Sequence, residues 1–152
     1  MQQGAVRHAA EDDLAAVADL EARAFPGLNY PYFALREMFD VHGHHMLVAG
    51  DPGVLHGYAL LASGRNGQSW LLSLAVDLAH RRQGHGRRLL DAVLSLADDG
   101  GLGAVRLTVA PDNHPALRLY HESGFCLAER RRDYLGPGHD RLVMVRAAPG
   151  RP

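Results

Sequence analysis

Between residues 74 and 87 the chain reads Leu74-Ala75-Val76-Asp77, then Arg81-Arg82-Gln83-Gly84-His85-Gly86-Arg87. An apolar, strand-like stretch feeds a glycine-bearing turn that opens a helical pattern. Backbone N–H groups at a helix N-terminus, with the positive end of the helix dipole, form an anion site. Gly84 and Gly86 let a phosphate approach the main chain, and Arg81, Arg82 and Arg87 add positive charge around it. From these residues alone, a plain strand-to-helix turn with solvated arginines accounts for the same pattern. Two other phosphate motifs do not fit. A dinucleotide fingerprint needs a third glycine where Leu89 stands. A P-loop needs a lysine, and the chain has none.

A second run, Asn113-His114-Pro115-Ala116-Leu117-Arg118-Leu119-Tyr120-His121-Glu122-Ser123-Gly124-Phe125, lies one strand further on. Asn113 or His114 can cap a short helix, Pro115 suits its first turn, and Gly124 ends it. Tyr120 is either a functional phenol or a packed helix aromatic. His42, His44 and His45 invite a metal reading, since two histidines two apart on a strand share a face. No third ligand is implied nearby, so no metal is expected. Cys126 follows Phe125 in an apolar run and reads as a buried, inert thiol.

The elements that must position these residues follow from periodicity and punctuation. A short strand is expected at residues 5–8. Leu14, Val17, Leu20 and Ala24 recur at helical spacing, so residues 11–24 read as an amphipathic helix ended by Phe25-Pro26-Gly27. A second helix is expected over 32–39. Strands at 45–49 and 54–62 flank the Gly50-Asp51-Pro52-Gly53 turn, and a further strand spans 69–76. A helix at 84–97, a strand at 104–110, a helix at 115–123 and strands at 125–132 and 142–145 complete the order βααβββαβαββ. Asp98-Asp99 disfavour a helix C-terminus, so the third helix is expected to stop before them. The strand–helix–strand from Ser69 to Ala110 requires a right-handed parallel crossover, while other neighbours can pair antiparallel. The expected fold is therefore α+β, a mixed, mostly antiparallel sheet with helices on both faces.

The chain has 152 residues, enough for one domain with a real core, here read as 1–146 with a frayed tail at 147–152. Sixteen basic residues, all arginine, against seventeen acidic ones give a net charge of −1, which argues against a nucleic-acid partner. No apolar run is long enough for a membrane span, and the N-terminus lacks the apolar stretch of a signal peptide. A single cysteine excludes an intrachain disulfide, so a cytoplasmic, reducing location is the simplest reading.

Arg81-x-x-Gly84-x-Gly86 resembles the pyrophosphate loop of the GCN5-related N-acetyltransferases (GNAT). Asn113-x-x-Ala116-x-x-Leu119-Tyr120-x-x-x-Gly124-Phe125 resembles their following helix motif, and the element order agrees over residues 5–145. Ala24-Phe25-Pro26, Leu74-Ala75-Val76-Asp77, Arg82-Gln83-Gly84 and Arg131-Arg132-Asp133-Tyr134 are similar to the ribosomal-protein N-terminal alanine acetyltransferase branch. That branch keeps a proton-accepting glutamate on the strand before the Asn-x-x-Ala helix, and Thr108 stands at the matching position here.

The resemblance implies an acetyl-CoA-dependent N-acetyltransferase, in which a primary amine attacks the thioester directly. It implies that Leu74, Ala75 and Val76 pair with the pantetheine arm through their backbone, with the Val76 N–H as oxyanion donor. It implies that Arg81, Arg82, Gln83, Gly84, His85, Gly86 and Arg87 hold the pyrophosphate, that Asn113 contacts the cofactor, and that Tyr120 protonates the leaving sulfur. The base stays open: Ser73 or Thr108 could hold a relaying water, and Glu129 is the nearest carboxylate in sequence. The acceptor is a protein N-terminus or a small-molecule amine, with loops 25–39 and 133–140 shaping its mouth. A non-catalytic acyl-CoA-binding protein is the rival that Thr108 motivates. A monomer or homodimer is expected.

Overall fold

The computed structural model describes residues 5–150, and in it the secondary structure follows the expected order. The elements are β1 (Val6–His8), α1 (Leu14–Ala24), α2 (Tyr32–His42), β2 (Met46–Asp51), β3 (Val54–Ser63), β4 (Ser69–Val76), α3 (His85–Asp99), β5 (Val105–Val109), α4 (His114–Glu122), β6 (Cys126–Arg131) and β7 (Arg141–Arg146). Short 3-10 turns at Glu11–Asp13, Gly43–His45 and Leu78–His80 lead into α1, β2 and the loop before α3. The hydrogen-bonded strand order is β1-β2-β3-β4-β5-β7-β6, a mixed and mostly antiparallel sheet. The chain divides into two compact units, one reaching to Ala62 and including Leu72–Leu96, the other comprising Ser63–Leu71 and the chain from Ala97.

In the first unit β1 and β3 pair antiparallel with β2. Leu14, Val17 and Leu20 recur on one stripe of α1 and are buried with Leu35 of α2 against Met46, Val48, Tyr58, Leu60 and Ala75 of the strands. Each such leucine contributes roughly 1.5–3 kcal/mol by leaving water. Successive strand residues point to opposite faces, and β3 shows it at Gly57 and Tyr58. Tyr58 reaches Glu21 of α1, whereas a Cβ on Gly57 would meet Leu89 of α3 at 2.8 Å. Helices α1 and α3 therefore cover opposite faces of β3, and only glycine lets α3 approach this closely. The start of α1 is held by Asp13, which takes a bidentate ion pair from Arg7 of β1 at 2.8 and 2.9 Å and the Ala10 N–H at 2.8 Å.

In the second unit the start of β4 runs parallel to β5, with Ser69 opposite Val105 and Trp70 opposite Arg106. Strand β7 lies antiparallel between β5 and β6. Val105, Leu107 and Val109 are buried while Arg106 and Thr108 between them are half-buried. Residues 147–150 have no regular structure, and the last two residues of the expected tail lie outside the described residues.

Three expectations are corrected. Helix α3 continues through Asp98 and Asp99, because Arg146 of β7 offsets the unfavourable charge with a bidentate pair to Asp98 at 3.0 and 2.9 Å. Cys126 is exposed, because β6 ends the strand order and all six of its residues are solvent-accessible; Phe125 before it is the buried residue. His44 and His45 sit in a 3-10 turn with rings 3.8 Å apart, so the shared strand face does not exist. Among the described residues no three histidines, cysteines or carboxylates are arranged to hold a metal.

Candidate active site

Residues 72–96, from the latter part of β4 through most of α3, lie in the first unit and carry most of the residues singled out above. In β4, Ala75 is buried while Leu74 and Val76 are half-buried. The following loop contains two left-handed residues, Arg82 at φ 65° and Gly84 at φ 81°. This conformation is costly for arginine and natural for glycine. It turns the chain sharply into α3, where the Arg88 N–H closes the first turn on the Gly84 carbonyl at 3.0 Å. The first N–H groups of a helix have no intrahelical acceptor, so this end of α3 suits a pyrophosphate. Arg81, Arg82, Gln83, Gly84 and Arg87 are exposed around it, and Gly86 is half-buried. A Cβ at Gly84 would stand 3.0 Å from a guanidinium nitrogen of Arg88. The residues present at this helix end are thus compatible with a phosphate group.

His85 is the exception among these residues, being 4% exposed and turned inward. Arg88 donates to its Nδ1 at 2.8 Å, and Gln83 Oε1 lies 3.3 Å from its Nε2. Guanidinium only donates, so Nδ1 is the acceptor and the proton sits on Nε2, pointing at Gln83. Burial, then the nearby Arg88, His56 and His80, push the His85 pKa below its ordinary value. The rings of His56 and His80 lie 5.0 and 6.1 Å from it. Asp77 anchors the loop's entry. Its N–H donates to the His56 carbonyl at 2.8 Å, and its carboxylate takes Arg23 of α1 at 2.8 Å. His85 thus supports the loop from within.

Asn113 and Tyr120 lie in the second unit. Asn113 caps α4, its Oδ1 accepting the Ala116 N–H at 3.3 Å, which leaves its NH2 available. Tyr120 is 8% exposed and packs edge-on to Phe125 with ring centroids 5.7 Å apart. Burial pushes its pKa up to about 12, so the phenol holds its proton at neutral pH. Glu129 is exposed and paired with Arg131 at 3.2 Å. Asp133 accepts the Gly138 N–H at 2.8 Å and shapes the turn between β6 and β7. Asp140 accepts the Asp133 N–H at 3.0 Å and pairs with Arg130 at 3.3 Å. Both acids are thus engaged in local structure.

The sequence reading missed Glu21. It is 1% exposed, on α1, and accepts three hydrogen bonds. Tyr58 Oη and Ser73 Oγ donate to Oε1 at 2.5 and 2.7 Å, and the Tyr30 N–H donates to Oε2 at 2.9 Å. Ser73, one of the expected water-holding groups, therefore spends its proton on a carboxylate. Burial first, then the charge of Glu21, raises the Tyr58 pKa far above the ordinary phenol range. A signal existed: Glu21 falls seven residues after Leu14 and four after Val17, on the apolar stripe of α1.

Residues 14–125 match the model of the acetyltransferase (GNAT) family. The chain is 38% identical over 135 residues to N-alpha-acetyltransferase RimI of Mycobacterium tuberculosis, covering 85% of this chain and 83% of that protein. Among solved structures, Ard1 from Thermoplasma volcanium superposes with a TM-score of 0.88 at 25% identity, covering 98% of this chain and all of that one (100%). The ribosomal-protein-S18-alanine N-acetyltransferase from Escherichia coli has the same fold, with a TM-score of 0.82 at 23% identity over 98% of this chain and 96% of that one. The chain belongs to the GNAT acetyltransferase family. It is an acetyl-CoA-dependent N-acetyltransferase.

Proposed function

We propose that this enzyme acetylates the α-amino group of a protein N-terminus, using one domain formed by residues 1–146. The observation that carries this reading is the likeness, along most of both chains, to a protein named N-alpha-acetyltransferase. Chemistry supports it. Only the neutral amine attacks a thioester, and an α-amine has a pKa near 8 against about 10.4 for lysine. With Thr108 where the resembled branch keeps a glutamate, the α-amine holds an advantage of roughly two orders of magnitude in its neutral fraction at pH 7.

Acetyl-CoA supplies the activated acyl group. In this reading the backbone of Leu74, Ala75 and Val76 aligns the pantetheine arm. The Val76 N–H donates to the carbonyl oxygen that gathers charge as the amine attacks. Arg81, Arg82, Gln83, Gly84, His85, Gly86 and Arg87 form the pyrophosphate loop, with His85 supporting it from inside. Asn113 contacts the cofactor, and Tyr120 serves the leaving sulfur. A phenol near pKa 12 is about three powers of ten too weak to protonate an ordinary thiolate outright. Tyr120 therefore assists chiefly by donating a hydrogen bond as negative charge develops.

Among the described residues no helix is long and apolar enough to cross a membrane. The reading includes a cytoplasmic location and a monomer or homodimer. Thr108 favours one rival, a protein that binds acyl-CoA without turning it over. The test is thiol release from acetyl-CoA with a peptide bearing a free N-terminal alanine, its N-blocked lysine-containing counterpart, polyamines, amino acids and aminoglycosides. Release with the free N-terminus alone supports the proposal. Release only with small amines would transfer the enzyme to another acceptor class. Tight CoA binding without any release would make it a sensor.

A further inference from the structure

We infer that Glu21 is a positioning residue for the acceptor, a buried bridge that ties the α1–α2 connection to β4. Its two oxygens face opposite ways in function. Oε2 holds the backbone N–H of Tyr30 at 2.9 Å, in the 25–31 connection that leads into α2. Oε1 holds the Ser73 hydroxyl at 2.7 Å, immediately before Leu74-Ala75-Val76. Tyr58 of β3 fixes the same oxygen at 2.5 Å. The inference rests on the reading above, in which the 25–39 region borders the acceptor and the Leu74–Val76 backbone carries the cofactor arm.

All three groups that donate a hydrogen bond to Glu21 are held in place. Tyr58 is fully buried at 0% exposed, Ser73 is 7% exposed, and the third donor belongs to the main chain. The Tyr30 link spans nine residues of sequence and the Ser73 link fifty-two, |i−j| of 9 and 52, so one side chain sets the register between a loop and a distant strand. A carboxylate suits the position because it accepts at both oxygens and donates at neither. Glutamine is nearly the same shape and cannot accept from all three donors. With its carbonyl kept on Tyr58 and Ser73, its NH2 group meets the Tyr30 N–H, and two donors oppose each other. Turned the other way, it keeps Tyr30 and strands the two hydroxyl protons.

The experiment compares wild type, Glu21→Gln, Ser73→Ala and the double variant. Four quantities are read: KM and kcat for a free N-terminal alanine peptide, CoA affinity by calorimetry, and amide hydrogen exchange across residues 25–31. The expected result for Glu21→Gln is a KM about tenfold higher, kcat within about threefold, CoA affinity within about twofold, and faster exchange at 25–31. Ser73→Ala shifts KM in the same direction by less. The double variant is no worse than Glu21→Gln, because both changes cut one bridge. Ser73→Ala carries the KM test if Glu21→Gln does not fold. A lowered urea midpoint with unchanged KM in both variants overturns the inference, since that is what a merely stabilising role would show. Exchange at 25–31 that matches wild type also overturns it, whatever the turnover. Absence of turnover in the wild-type protein with every amine would instead count against the acetyl-acceptor reading, while the exchange measurement still decides the bridge.

Discussion

Arg88 donates to Nδ1 of His85 at 2.8 Å, so the residue that closes the first turn of α3 holds the imidazole that opens the helix. The same guanidinium lies 3.0 Å from where a Gly84 Cβ would be. The left-handed turn at Gly84, the inward His85 and the folded-back Arg88 thus form one local unit at the proposed pyrophosphate site. Disturbing any member has consequences for the others.

Gly84 has both a backbone and a space requirement. Gly84→Ala should lower stability by about 1 kcal/mol through its φ of 81° and displace Arg88. Gly84→Glu adds a negative charge to the phosphate position. Calorimetry with CoA should show affinity falling by about two orders of magnitude for Gly84→Glu; unchanged affinity removes this loop from the cofactor site.

His85 makes folding stability depend on pH. Its folded pKa lies below its ordinary value of 6.5, so in mildly acidic solution the unfolded chain binds more protons. Stability is therefore fully present above about pH 6.5 and is lost as pH falls toward the folded pKa. His45, also depressed by burial and then by His44, His42 and His8, adds to the same window. Urea midpoints between pH 7.5 and 5 should fall, and His85→Gln should flatten part of that fall. A variant with the full wild-type slope would show that His85 does not titrate as its surroundings require.

Tyr120 is expected to act on the departing sulfur and not on binding. Tyr120→Phe removes the hydroxyl and leaves the ring against Phe125. Its kcat should fall on the order of 10²-fold with CoA affinity nearly kept, measured by steady-state kinetics and calorimetry on the same preparation. Equal turnover in the two proteins would leave Tyr120 as a packing residue.

Thr108 predicts how rate follows pH. With no carboxylate at that position, kcat/KM should climb with the neutral fraction of the acceptor and level off around pH 8 for an α-amine. Glu129→Gln and Asp133→Asn should leave kcat within about threefold, since one carboxylate is paired in solvent and the other holds a turn. A collapse of kcat in either, with cofactor binding intact, would identify a carboxylate base. Thr108→Glu should raise the rate near pH 7 if its carboxylate meets the amine.

The order of elements was legible because it depends on short-range signals. The apolar stripe of α1, the turn at 50–53 and the glycines at 84 and 86 are local, and β4 spans the expected residues 69–76. The turn from β4 into α3 was legible for the same reason, since a strand, a glycine turn and a helix start are contiguous. The sequence by itself also determined the family, through two motifs in a fixed order. Only the tertiary structure decided which charges are consumed by folding. Asp98 at a helix end depends on Arg146 forty-eight residues later, |i−j| of 48, and Glu21 becomes a bridge only when β3 and β4 bring Tyr58 and Ser73 beneath α1. Cys126 is exposed because its strand ends the sheet order, a position that no local pattern encodes. Periodicity reports which face a residue takes; the partner waiting on that face is set by chain segments far away, through burial and hydrogen bonds that form only on folding.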